Sequence, residues 1–152
     1  METTVRGKRQ TSYKQLNELT IGGGVAFWVI TIAFSLLPIA AEFRAALSIS
    51  YIQVVLVESL LGGMIIGYCI SYSLLRFFDK IPTKNPILKS VILSFVALGI
   101  VLILVQVAAS RTSDSWYVFL IGAMLNVPRF LFVGLAIGYL YKRLYRTEVA
   151  KK

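Results

Sequence analysis

The sequence predicts an all-α integral membrane protein, a four-helix bundle. Three observations predict it. Four apolar stretches reach the roughly 20 residues that cross about 30 Å of hydrocarbon. Lys and Arg crowd onto one side of the connections between them. Inside the stretches only two charges remain, Glu58 and Arg129.

The spans fall at residues 21–41, 52–75, 90–110 and 116–141. The first and third carry no charge, the second carries Glu58 and the fourth Arg129. Lipid offers no water to backbone N–H and C=O groups, so each stretch is expected to be a helix. Short connections make the 152 residues one membrane domain, with a polar tail at 1–20 and a basic tail at 142–152. The first span exceeds the 7–15 residues of a signal-peptide core and is expected to be retained. Pro82 and Pro86 keep the middle connection from continuing as helix. Tyr51, Trp116, Tyr117, Tyr139, Tyr141 and Tyr145 stand near span ends, where amphipathic rings favour the interface. Gly22, Gly23 and Gly24 open the first span; fraying is expected there, with close packing or a hinge as the alternative.

Charge placement orients the chain. Arg6, Lys8, Arg9 and Lys14 precede the first span; Arg76, Lys80, Lys84 and Lys89 surround the middle connection; Lys142, Arg143, Arg146, Lys151 and Lys152 follow the last. The opposite side has Arg44 and Arg111. Positive residues stay inside, which places both termini and the middle loop in the cytoplasm and the protein in the cell membrane. The net charge of +9 is thereby read as topology and contact with anionic lipid. Nucleic-acid binding is not expected, because no basic, aromatic-rich soluble domain is present.

A repeat is visible in the second and fourth spans. Gly63-Met64-Ile65-Ile66-Gly67-Tyr68 parallels Gly134-Leu135-Ala136-Ile137-Gly138-Tyr139, and each contains the GxxxG spacing that lets helix backbones approach in lipid. Ala40-Ala41 is echoed by Ala108-Ala109. Two parallel helical hairpins related by duplication are the reading this suggests. The offset of 71 residues carries Glu58 onto Arg129. Counting inward from Arg76 and Lys142 instead separates the two by five residues, or about 8 Å at 1.5 Å per residue. At about 100° per residue, Gly63 lies about 140° from Glu58 and Gly67 about 180°. If both faces are covered by protein, the second and fourth helices are central and the first and third peripheral. The almost uniformly apolar third span suits a lipid-facing position.

Charges in lipid are costly, about 2.5–3.5 kcal/mol near a helix centre on insertion scales. Glu58 and Arg129 are therefore the candidate pair. Asn126, one turn before Arg129, and Gln106, near the end of the third span, join them as candidates for a polar intramembrane site. The alternatives are a purely structural ion pair and contacts with a partner subunit. Pro128 frees the carbonyl of Met124 and is expected to kink the fourth helix.

Enzyme chemistry has little support. There is no histidine, no phosphate-cradling glycine loop and no paired carboxylates, and Cys69 stands alone among apolar residues. No catalytic residue, cofactor or metal site is assigned. Chain size and the lone membrane glutamate resemble those of small multidrug transporters. That family carries its essential glutamate in the first helix, where this chain has no acid, so no residue role is carried across. Two readings follow: a small transporter or channel-like protein, oligomeric, with Glu58, Asn126, Arg129 and Gln106 around a polar site; or a non-catalytic accessory or assembly subunit of a membrane complex. In either, Gly63, Gly67, Gly134 and Gly138 are expected to pack helices.

Overall fold

The protein is all-α, and four of its helices are long and apolar enough to cross a membrane. The computed structural model describes the backbone of residues 2–49 and 51–149 and the side chains of residues 13–49 and 51–144. The side chains of Arg6, Lys8, Arg9, Tyr145, Arg146, Lys151 and Lys152 lie outside the described residues.

Helix α1 spans Glu2–Ser35 and α2 spans Pro38–Ala46. Helix α3 follows at Ile52–Phe77, closed by a 3-10 turn at Phe78–Lys80. Helix α4 covers Pro86–Ala109 and α5 covers Ser115–Val149.

The first crossing differs from the span read at 21–41. Its apolar helix runs Tyr13–Ser35. Pro38 ends it: the residue before a proline is pushed out of the helical region, and Leu37 has ψ of 141°. Pro38 then starts α2, where its missing N–H has no helical partner to lose. The helix gains length at its other end because Leu16 and Leu19 bury on the same face as Gly23 and Phe27. Helix α4 also begins earlier than expected. Asn85 accepts a hydrogen bond from the Ile87 amide at 3.0 Å, and Pro86 takes the first helical position. Helix α5 continues through Pro128.

The bundle is two antiparallel hairpins, α1 with α3 and α4 with α5. They join chiefly through α1 and α5, and α3 touches α4 more lightly. The core between them holds Leu19, Phe27, Ile70, Leu74, Phe130, Val133 and Ile137. The rings of Phe27 and Phe130 meet edge to face at 5.8 Å. Helix α2 lies against the far half of α5, where Ala40 and Phe43 pack on Ile121 and Leu125. So α1 and α5, the first and fourth spans, are central: the fourth span lies where the charges and glycines suggested, but the first takes the central place read for the second, because α1 packs on both α3 and α5. The expectation for the third span holds: α4 exposes Ile92, Val96, Ile100, Ile103, Leu104 and Val107.

One cation counted with the middle connection behaves otherwise. Lys89 is 5% exposed. Its ammonium donates to the carbonyl of Phe78 and sits 3.7 Å from the centre of the Phe78 ring. The end of a helix leaves carbonyls without amide partners, and a buried ammonium satisfies one here.

Candidate functional site

The glycines are the best-defined positions. In α3, a Cβ added to Gly67 would stand 2.8 Å from the carbonyl oxygen of Thr20, and one added to Gly63 would stand 3.1 Å from that of Gly24. In α5, a Cβ on Gly138 would lie 2.6 Å from the Cα of Ile87, and one on Gly134 would lie 2.9 Å from the Cα of Val91. Each GxxxG element therefore meets the preceding helix of its own hairpin, and the two elements do not pack on each other. The surfaces they meet include small residues, Thr20, Gly23 and Gly24 in α1 and Ser90 and Ser94 in α4, beside Phe27, Ile87 and Val91. Gly22, Gly23 and Gly24 lie well inside α1 and carry packing: Gly22 meets Leu140, and Gly23 meets Ile137 and Gly67. The fraying expected for them gives way to the alternative, close approach. The small-residue spacings Thr20-x-x-x-Gly24 and Ser90-x-x-x-Ser94 are the sequence signals that identify these counter-surfaces.

The two hairpins use this device alike but not identically. Gly63 follows Gly24 by 39 residues, whereas Gly134 follows Val91 by 43. The first hairpin spends its intervening residues on α2, whereas in the second α4 and α5 run on past their contact points to a short connection between Ala109 and Ser115.

Glu58 follows from this packing. It stands about 180° from Gly67 around α3. The glycine face is turned to α1, so the carboxylate is turned away from it, and Glu58 is exposed. Arg129 is half-buried on α5. Its Nε is enclosed and has no hydrogen-bond partner. No ion pair joins the two residues within the chain. The pairing expected from the sequence offset is therefore not made here, because covering the glycine face of α3 with α1 leaves the opposite face of α3 uncovered.

Their depth nevertheless agrees. The indole Nε1 of Trp28 donates to the carbonyl of Leu56 at 3.1 Å, and Phe27 packs at Gly63, which puts Glu58 level with residues just beyond Trp28. Phe27 meets Phe130, and Ile137 meets Gly23, which puts Arg129 at the same level. The two charges differ by no more than about one helical turn, or about 5 Å, along the bundle. The estimate from the flanking basic residues, about 8 Å, is the larger because it assumes equal overhang of helices that are in fact staggered.

The other two polar candidates do not join them. Asn126 is buried, and its side-chain amide donates to the Gly122 carbonyl of its own helix at 2.8 Å. Gln106 is exposed on α4, near the level of Gly122, which faces Val105. A groove of about 450 Å³ opens near the end of α4, against Leu47, Ser48, Leu104 and Arg111, and none of the four candidates lines it. Among the described residues no group of His, Cys, Asp and Glu is placed to hold a metal ion. No family model matches the chain, and neither do curated proteins or solved structures.

Proposed function

We propose that this chain is a non-catalytic membrane subunit that works in an assembly, with the Glu58 face of α3 docked against another intramembrane surface. The observation that carries the proposal is the exposure of Glu58 within a membrane-spanning helix. A carboxylate there is expensive in lipid and inexpensive beside a hydrogen-bonding or cationic partner. The residues one and two turns further along this face, Leu61 and Ile65, are more than half exposed and would be covered by the same contact. The sidedness of Lys and Arg supports cytoplasmic termini, and the basic tails suit contact with anionic lipid.

A second reading keeps transport in view. Arg129 lies one turn from Asn126 and directly after Pro128, level with Glu58. Charges at one depth suit a polar site that forms between chains rather than within one.

The size of the particle in a mild detergent tests the proposal. Wild-type protein is expected to elute as more than one chain, and Glu58→Leu as a single folded chain. A wild-type protein that is a single chain both in detergent and in native membranes would overturn it.

A further inference from the structure

We infer that the surface docked on Glu58 is a second copy of this chain, and that its counter-charge is Arg129 of that copy. The inference rests on the assembly reading above and supplies its partner. Four features of the structure meet in it.

The charges are complementary and unmatched. Glu58 has no ion pair among the described residues, and the Nε of Arg129 has no hydrogen-bond partner although it is enclosed. No other acid or base lies between them in the spans at this depth: the remaining charges stand toward the helix ends.

The two residues cannot meet within one chain. Glu58 points away from α1. Arg129 stands about 20° around α5 from Leu140, which reaches Gly22 of α1. The α1–α3 contact lies between them, so a neighbouring molecule is the route by which they meet.

Depth then selects the neighbour. Copies of one chain inserted with one orientation are related by rotation about the membrane normal, and such a rotation leaves every residue at its own depth. Two residues at one level in a chain are therefore at one level across an interface between copies. A partner of different sequence has no such constraint.

The apolar surroundings match as well. Beside Glu58, α3 exposes Val54, Leu61 and Ile65. On α1, Val25 and Val29 are exposed on the helical face of Gly22, which meets Leu140 of α5. The ion pair would sit within apolar contact on both sides, where lipid and water are excluded and the attraction is least screened.

Charge reversal in trans tests this. Two differently tagged copies are co-expressed, and the second tag is recovered after purification on the first. Wild-type pairs are expected to co-purify. Glu58→Arg paired with itself, and Arg129→Glu paired with itself, each place like charges together and should reduce recovery about tenfold or more. Glu58→Arg co-expressed with Arg129→Glu restores opposite charges at every such contact and should recover to within about twofold of wild type. Because a reversal can fail to insert, a second measurement uses Cys69→Ser chains carrying Glu58→Cys on one tag and Arg129→Cys on the other. Oxidation in membranes should give a mixed-tag dimer, and neither chain alone should give one.

Absence of wild-type co-purification together with an assembly that still loses mass in Glu58→Leu would overturn the self-association and leave the subunit reading standing. Co-purification with no rescue and no mixed-tag disulfide would overturn the Glu58–Arg129 contact.

Discussion

Glu58 and Arg129 stand at one level of the bundle and on different sides of α1. That relationship gives the two charges opposite behaviour in an isolated chain and in an assembly. In a dispersed single chain, Glu58 is exposed and has nothing to lose on neutralisation.

The first prediction follows for stability. Glu58→Gln is expected to leave the melting temperature of the single-chain form nearly unchanged. Arg129→Gln removes a half-buried cation, and its effect on stability should be independent of residue 58. The coupling between the two in a double-mutant cycle should lie within about 0.5 kcal/mol of zero. A coupling of several kcal/mol in the single-chain form would place the pair inside one chain and contradict the packing of α3 on α1.

The glycines divide into two classes. Gly63, Gly67, Gly134 and Gly138 face backbone or side-chain atoms so closely that a Cβ at Gly67 or Gly138 has no room, whereas Gly62 and Gly99 have nothing within 4 Å. Gly67→Ala and Gly138→Ala are each expected to destabilise the fold by about 1–3 kcal/mol through overpacking. Gly62→Ala and Gly99→Ala should be neutral or stabilising by up to about 1 kcal/mol, since alanine has the higher helix propensity. Thermal unfolding of the four variants in one detergent gives the ranking. Equal losses at Gly67 and Gly62 would contradict the glycine-to-backbone contacts.

Lys89 joins the end of α3 to the start of α4. Replacing it with methionine retains most of the stem and removes the bond to the Phe78 carbonyl and the contact with the ring. A loss of about 1.5–3 kcal/mol is expected for a hydrogen bond to a charged group. Lys84→Met, on an exposed residue of the same connection, should cost less than about 0.5 kcal/mol. Hydrogen exchange should accelerate in the last turn of α3 in the first variant only.

Sidedness has its own test. Lys14 and Lys80 are expected inside the cell and Arg44 and Asp114 outside. In a Cys69→Ser background, an impermeant thiol reagent added to intact cells should label Arg44→Cys and Asp114→Cys and spare Lys14→Cys and Lys80→Cys. Labelling at Lys80→Cys from outside would reverse the orientation.

Several features belong to the sequence alone. The number of crossings depends on the length of apolar runs, and a backbone without water has one way to satisfy itself within such a run. The GxxxG spacings and their opposition to Glu58 follow from helical period, which needs no knowledge of neighbours. The sidedness of Lys and Arg is likewise a property of counting along the chain. Even the break at Pro38 is local, since it arises from a clash between adjacent residues.

The tertiary structure decided what those faces meet. A GxxxG element specifies a groove and not its occupant, and both grooves take the preceding helix, Thr20, Gly24 and Phe27 in one and Ile87, Ser90, Val91 and Ser94 in the other. Filling the α3 groove with α1 turned Glu58 outward, a consequence invisible until the helix pairs were known. Lys89 shows the same dependence. Its burial requires a carbonyl that is orphaned only because α3 ends at Phe77 and turns through Phe78, eleven residues away in sequence and in contact only after the chain has folded back.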